Sequence, residues 1–207
     1  GAGYDRVDIK AARQYGIKVT NTPGVNAQAV GELAFGLILG LARKIPYLSD
    51  ETRKGAWVRS TGVELKGKTL GILGLGAIGK VVASCAQGFG MEVLAYDPYI
   101  NEKYCSSHAI EAVSFEELMS RSNVVSLHLP LLESTYHLID REAIARLPEG
   151  AILVNASRGG IVDEDAAYEA LKSGKLFGLG LDAFETEPPK ASKLFEFDNV
   201  IATPHTG

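Results

Sequence analysis

Short apolar runs alternate with segments of helical periodicity along most of the chain. The runs predict strands at residues 17–20, 69–73, 92–96, 123–129, 151–154, 176–181 and 199–202. The periodic segments predict helices at residues 8–15, at 26–54 with an interruption near Pro46, after the glycine cluster 74–79 as far as about residue 87, and at 114–119, 141–146 and 163–172. Strands that alternate with helices in this way predict an α/β fold, a doubly wound parallel sheet with helices on both faces.

The glycine cluster lies between the strand at 69–73 and the helix that follows it. Gly74, Gly76 and Gly79 form a G-x-G-x-x-G pattern. In this setting the first glycine permits a tight turn, the second lets backbone approach a pyrophosphate, and the third lets the helix pack close to the strand. The start of the helix, with Ala77 and Ile78, offers unpaired N–H groups to phosphates. The pattern predicts a Rossmann-like dinucleotide site. The alternative is a flexible turn, which in a glycine-rich chain could have the same sequence pattern.

Asp97 ends the next predicted strand, 18 residues after Gly79. An acid that binds the ribose 2′-OH of a dinucleotide is expected about 20 residues beyond the glycines. A carboxylate there accepts hydrogen bonds from the ribose diol and repels a 2′-phosphate, so it favours NAD over NADP. The alternative is an Asp that merely starts a turn before Pro98.

Three segments near the end of the chain follow predicted strands at the carboxyl edge of the sheet, where open α/β sheets bind ligands. They supply Arg158, Glu187 before a Pro-Pro pair, and His205 after Pro204. Arg offers a planar charged fork for a carboxylate and a carbonyl oxygen. His can take an alcohol proton as hydride leaves, and a carboxylate beside it orients the ring. Together these groups suit redox chemistry on a 2-hydroxy or 2-oxo acid, although each alone could be an ordinary loop or surface residue.

Several motifs follow one another in a recognisable order. They are GAGYD at 1–5, NTPG at 21–24, the glycine fingerprint, HLPL at 128–131 with Thr135, and the segments 155–164, 182–189 and 204–205. In this order the chain resembles the D-isomer-specific 2-hydroxyacid dehydrogenase family over essentially its whole length. Within that family it is most similar to the D-3-phosphoglycerate dehydrogenase branch.

The resemblance implies roles for the matching positions. Arg158 would bind the carboxylate and carbonyl of the substrate, and His205 would be the general acid and base, paired with Glu187. Both Arg158 and His205 would also contact the cofactor. The remaining contacts would be to NAD, with Asp182 at the nicotinamide carboxamide, Leu129 and Pro130 beside the adenosine, Thr135 holding the cofactor, and backbone at Ala156 and Ser157 along the nicotinamide. Backbone around Gly1 to Gly3 would meet the substrate carboxylate.

Composition and charge exclude other classes of partner. The formal net charge is −4, so no basic excess is available for the phosphates of a nucleic acid. The longest apolar run, residues 33–42, is half of what a bilayer requires, so no membrane segment is predicted.

The few cysteines and histidines predict neither a disulfide framework nor a metal site. The two cysteines form no C-x-x-C pair, which favours a reducing, cytoplasmic setting. The four histidines have no paired spacing, which argues against zinc. We expect His128 to be structural, and His108 and His137 to be surface residues.

The resemblance also implies a division of the chain. Residues 1–20 would be a stub of an otherwise absent substrate domain, and residues 21–207 the NAD-binding domain. Such a piece should bind NAD but turn over poorly, because one wall of the substrate cleft is missing. The apolar run 33–42 resembles the family's dimer-forming region, and an exposed apolar stripe needs a partner, so we expect a homodimer.

The substrate stays open among 2-hydroxy and 2-oxo acids. The branch resemblance favours 3-phosphoglycerate, in serine biosynthesis, while hydroxypyruvate or glyoxylate reduction is the alternative within the family. Formate dehydrogenases carry Gln where this chain has Glu187, which speaks against formate oxidation. A non-enzymatic alternative is an NAD-sensing corepressor, because the C-terminal-binding proteins resemble the family and keep similar Arg, Glu and His residues.

Overall fold

In a computed structural model, residues 3, 4 and 7–207 are described, and within them the strands form one parallel sheet. The strands are β1 (Thr69–Leu73), β2 (Glu92–Tyr96), β3 (Ile110–Ala112), β4 (Val124–Leu127), β5 (Ala151–Asn155), β6 (Leu176–Leu181) and β7 (Val200–Ala202). Their order across the sheet is β3-β2-β1-β4-β5-β6-β7. Strands β2 and β3 extend the sheet on one side of β1, and β5, β6 and β7 extend it on the other side of β4. This order confirms the doubly wound α/β fold.

Helices cover both faces of this sheet. They are α1 (Ile9–Gln14), α2 (Ala27–Ala42), α3 (Ile45–Arg53), α4 (Ala77–Gly88), α5 (Glu102–Ser107), α6 (Phe115–Arg121), α7 (Arg141–Arg146) and α8 (Glu164–Ser173), with a short 3₁₀ helix at Lys193–Glu196. One buried cluster joins α2 and α4 to strand residues such as Ile152 and Val154, and the other joins α6, α7 and α8 to residues such as Leu153. Alternate side chains of a strand thus enter opposite layers, as expected for a sheet buried on both sides.

The adjacent strands β1 and β4 mark the point where the strand order reverses. In open α/β sheets the loops that leave the carboxyl ends of such strands diverge and open a crevice for a ligand. The loops after β1, β4, β5 and β6 carry most of the predicted site residues, so the fold places them around one crevice.

The structure corrects the helix and strand predictions for the first part of the chain. Residues 17–20 form no strand, because no strand in the described part of the chain lies beside them; the Ile17 side chain is mostly exposed and its N–H donates to Ala12 O. The long helix predicted at 26–54 is two helices, and the break comes at Lys44, whose φ of 54° is left-handed. Pro46 follows as an early residue of the second helix, where a missing N–H costs nothing.

The apolar run 33–42 is not an exposed stripe, so the expectation that this run needs a partner to cover it was wrong. Ala34, Phe35, Leu37, Ile38 and Leu41 of α2 are buried against this chain's own sheet and α4. Within the described residues, no helix combines the length and apolar character needed to cross a bilayer.

Candidate functional site

The glycine fingerprint forms the turn between β1 and α4 that the sequence predicts. Gly74 has a φ of 95°, and a Cβ there would lie 2.5 Å from the carbonyl oxygen of His128. A Cβ on Gly79 would collide with the carbonyl oxygen of Gly74, whereas one on Gly76 would meet nothing. Gly74 and Gly79 are therefore required by the turn and the helix packing, and Gly76 keeps the space in front of the helix open for a ligand.

Asp97 is joined to this turn by a hydrogen bond. Its Oδ2 accepts from the backbone N–H of Leu75 at 2.9 Å, and its Oδ1 accepts from the N–H of Tyr99 at 2.8 Å. The carboxylate at the end of β2 is thus fixed beside the phosphate-binding turn. This is the placement that recognition of a ribose next to a pyrophosphate requires.

A cleft of about 980 Å³ opens along the carboxyl edge of the sheet. The predicted site residues that line it are Ile78, Leu129, Pro130, Ala156, Ser157, Arg158, Asp182, Glu187 and His205. Gly74, Gly76, Ala77, Gly79, Asp97 and Thr135 lie outside this lining. Gly3 also lines the cleft, while the predicted backbone contacts of Gly1 and Ala2 fall outside the described residues.

His205 and Glu187, which were predicted to be an acid–base pair, lie within hydrogen-bond distance of each other. The His205 Nδ1 lies 2.8 Å from Glu187 Oε1, which also accepts from the N–H of Phe184 at 3.3 Å. With Nδ1 bonded to a carboxylate, Nε2 is the ring nitrogen able to exchange a proton with a ligand. His205 has a left-handed φ of 53°, so the backbone turns to present the ring at the cleft.

Asp182 fixes the segment that carries His205. Asp182 is buried; its Oδ1 accepts from Thr203 Oγ1 at 2.7 Å and from Thr206 N at 2.9 Å, and its Oδ2 accepts from Gly207 N at 2.9 Å. Residue types and spacing alone did not show this role, because the partners lie more than twenty positions away in the sequence. A single carboxylate after β6 therefore anchors both sides of His205.

Arg158 lies in a loop that is organised by Asn155 at the end of β5. The Asn155 side chain donates to the carbonyl of Arg158 at 2.8 Å, and its Oδ1 accepts from the backbone and hydroxyl of Ser157. Arg158 Nη1 donates to Ser157 O at 2.8 Å. A Cβ on Gly159 would collide with the Phe184 carbonyl, so this loop packs directly on the loop after β6.

The loop after β4 is held by Thr135 and begins at a partly buried histidine, His128. The Thr135 hydroxyl donates to Pro130 O and accepts from Leu132 N, both at 2.7 Å. His128 Nε2 lies 2.9 Å from Ser126 Oγ, and burial lowers the pKa of His128 to about 4. His128 is therefore neutral at ordinary pH, in agreement with the structural role expected for it.

His137 is not the simple surface residue that was expected. It is half-buried, with Nε2 3.0 Å from Glu185 Oε1 and Nδ1 3.9 Å from Asp163 Oδ2. These three residues each offer a ligand atom, all within 4.8 Å of one another. Sequence spacing gave no sign of this group, because its members come from three separate loops.

Comparison with known proteins gives a consistent result. The D-isomer specific 2-hydroxyacid dehydrogenase NAD binding domain matches residues 35–207. The chain is 47% identical to a D-3-phosphoglycerate dehydrogenase of Methanocaldococcus jannaschii, with all of the chain but 40% of that protein covered. It is also 47% identical to a hydroxypyruvate reductase of Thermotoga maritima, covering 68% of it.

Solved structures show the same similarity. A D-lactate dehydrogenase from Aquifex aeolicus, complexed with NAD and lactic acid, matches with a TM-score of 0.87 at 36% identity. The match covers 99% of this chain and 67% of that one. A glyoxylate reductase structure matches with a TM-score of 0.90 at 37% identity, covering all of this chain and 63% of the other.

Proposed function

Because the chain belongs to the D-isomer specific 2-hydroxyacid dehydrogenases, and contains their NAD binding domain, we propose that it supplies the cofactor site and the acid–base pair of a D-2-hydroxyacid dehydrogenase. The observation that carries the proposal is the hydrogen bond between His205 and Glu187 at the cleft that Arg158 also lines. An enzyme that interconverts an alcohol and a carbonyl must exchange one proton and one hydride. The His205 imidazole, paired with Glu187, would exchange the proton. The Arg158 guanidinium would hold the carboxylate of the substrate.

The groups in the cleft fit NAD and a 2-hydroxy acid. NAD, when bound, would supply the acceptor for the hydride that leaves C2 of the substrate. His205 Nε2 takes the hydroxyl proton in the same direction and returns it when the carbonyl is reduced. Glu187 keeps the ring oriented through Nδ1 and stabilises the imidazolium that forms.

Arg158 completes the substrate side of this arrangement. An arginine guanidinium is planar and matches a carboxylate with two parallel N–H donors. An interaction with the carbonyl oxygen would stabilise the negative charge that develops there during reduction.

The cofactor side combines backbone and side-chain groups. The turn with Gly74, Gly76 and Gly79 and the first residues Ala77 and Ile78 of α4 would bind the pyrophosphate through N–H groups. Asp97 would accept from the ribose diol, which supports NAD rather than NADP. The remaining proposed contacts are those of Leu129, Pro130, Thr135, Ala156, Ser157 and Asp182.

The test is hydride transfer by the full-length protein that contains this chain, with NAD and NADP compared over a panel of 2-hydroxy and 2-oxo acids. His205→Asn should lower kcat by about 100-fold or more while the NADH dissociation constant changes much less, because a general acid–base group typically contributes a factor of this size to the rate. Glu187→Gln should have a smaller effect of the same kind. An unchanged kcat in His205→Asn would contradict the proposal.

The substrate that we propose is 3-phosphoglycerate, with a role in serine biosynthesis. The 47% identity to a D-3-phosphoglycerate dehydrogenase supports it. An equal identity to a hydroxypyruvate reductase favours hydroxypyruvate as the second candidate. The same panel decides, since the better substrate has the larger kcat/KM.

We also keep two further expectations as proposals. A homodimer is supported by apolar side chains that remain exposed around α3, Ile45, Trp57 and Val58. A molar mass in light scattering that stays monomeric at every concentration would contradict it. A cytoplasmic setting is supported by the two cysteines, which are both unbonded.

A further inference from the structure

His137 lies where three loops of the site meet, and the proposed chemistry gives it no task. It belongs to the loop after β4. Its backbone N–H donates to Gly160 O, in the loop after β5, at 2.7 Å. Its ring reaches the loop after β6, with Nε2 3.0 Å from Glu185 Oε1. These loops carry the cofactor-side residue Pro130, the substrate-binding Arg158 and the acid Glu187.

The backbone of His137 is turned so that the ring can make this contact. Its φ is 49°, in the left-handed region that costs energy for a residue with a Cβ. The ring stacks on Tyr136, with centroids 4.0 Å apart and planes 13° from parallel. Tyr136 in turn lies against Gly160, where a Cβ would be 3.4 Å from its ring. The ring therefore has support on one face and a polar partner at its edge.

Glu185 links the ring to the catalytic segment. Its Oε1 accepts from the backbone N–H of Glu164 at 3.1 Å, and its own N–H donates to Glu164 Oε1 at 2.8 Å. Two residues further on, Glu187 holds His205. The loops after β5 and β6 are thus joined by a reciprocal pair of bonds, and the imidazole of His137 connects that pair to the loop after β4.

The electrostatics of the group explain why an N–H donor is needed there. The carboxylates of Asp163 and Glu185 lie beside it, and Glu185 is hydrogen-bonded to Glu164, whose pKa is raised by burial and by the Glu185 charge. Like charges at such short separations repel. An imidazole N–H aimed at Glu185 offsets that repulsion and keeps the loops together.

We propose that His137 is a positioning residue, which fixes the loop bearing Glu187 against the loop that flanks the cofactor. Its part in catalysis rests on the proposed dehydrogenase function, whereas the coupling between the loops is a property of this chain alone. His137 acts through Glu185 and touches no reacting atom.

The test compares three variants of this 207-residue chain. His137→Gly removes the ring and accepts the left-handed backbone without strain. His137→Gln places an amide donor about as far from the backbone as Nε2. His108→Ala is the matched control, because His108 is also stacked on a preceding tyrosine, Tyr104, at 3.9 Å, but it is exposed and outside the cleft lining.

Two quantities are measured for each variant, the NMR signals of the His205 ring and the NADH dissociation constant. We expect His137→Gly to shift or broaden the His205 signals and to weaken NADH binding about fivefold to tenfold, the size of effect that the loss of one ordinary hydrogen bond produces. His137→Gln should recover most of both losses, and His108→Ala should change neither.

A merely structural residue would give another result. If His137→Gly lowers the melting temperature but leaves the His205 signals and NADH affinity as in the wild type, the proposal is wrong. If His137→Gly does not fold, Glu185→Gln replaces it, since the loss of that charge must then produce the same shift of the His205 signals. If the wild-type chain binds no NADH, the cofactor assignment fails, and the His205 signals alone still decide the coupling.

Discussion

The two halves of the candidate site are formed by different kinds of chemical group. Around β1 and β2 the site consists of backbone N–H groups, bare glycines and one carboxylate, Asp97. Around β4, β5 and β6 it consists of side chains from separate loops, joined in pairs such as His205 with Glu187. The first half depends on the absence of side-chain atoms and the second on their presence. Adding atoms should therefore damage the first half most, and removing hydrogen-bonding groups the second.

The largest expected effect comes from adding one methyl group to the first half. In Gly79→Ala the new Cβ would collide with the Gly74 carbonyl and lie 3.1 Å from Ile72 Cγ2. Since backbone must move to admit it, we expect the free energy of unfolding to fall by about 3 kcal/mol or more, and NADH binding to be lost. Urea unfolding and NADH fluorescence measure the two effects.

Gly76→Ala is the matched control for this change. Its Cβ would meet no atom of the chain, so the variant should unfold as the wild type does. NADH affinity should still fall, because the methyl group occupies the approach of the pyrophosphate. Equal stability losses in the two variants would contradict the distinction between a packing glycine and a ligand-facing glycine.

The next largest effect concerns the boundary between the halves, where His128 follows β4. Its pKa is lowered from 6.5 to about 4 by burial. Between these values the unfolded chain binds more protons than the folded chain, so stability falls as the pH is lowered through this window. The contribution of this group is about 3 kcal/mol in total.

A pH series of urea unfolding tests this contribution. His128→Gln should reduce the loss of unfolding free energy between about pH 7 and about pH 4 by about 3 kcal/mol. This expectation holds whatever the unfolding free energy of the variant is at neutral pH. If wild type and variant lose equal stability over this range, His128 is not held neutral by the fold.

The smallest global effect is expected in the second half. Asp182→Asn replaces one of two accepting oxygens by a donor, which then faces an N–H or hydroxyl donor of the segment 203–207. We expect this segment to loosen at a cost of about 2 kcal/mol, confined to that segment. Amide exchange in residues 203–207 should accelerate about tenfold or more, while exchange in β1 and β2 stays unchanged. Faster exchange throughout the sheet would mean that the two halves are not separate.

The sequence predicted best what depends on contiguous residues. β1, β2, α7 and β6 have the predicted bounds, and α6 begins where it was predicted, with a capping box formed by Ser114 and Glu117. These features follow from local hydrophobic period and local hydrogen bonds, which a short stretch of sequence already contains. The glycine turn belongs to the same class.

Features that depend on distant neighbours were missed or misjudged. Residues 17–20 have a strand-like composition but no strand to pair with, and α5 and β3 are too short to show a clear period. The buried face of α2 was misjudged because the chain's own sheet covers it. His137 was placed on the surface since its partners, Asp163 and Glu185, are brought to it only by the fold.

The bond between Asp97 and Leu75 has a consequence for redesign of the cofactor preference. Replacing Asp97 by a small residue would make room for a 2′-phosphate, but it would also remove the acceptor of the Leu75 N–H in the turn that holds the pyrophosphate. Selectivity and affinity are therefore linked through one carboxylate, and an engineered switch to NADP would weaken binding of both dinucleotides. A successful design would keep an uncharged acceptor at position 97, such as Ser or Asn. It would place the positive charge for the 2′-phosphate at position 99, by replacing the exposed Tyr99 with a basic residue.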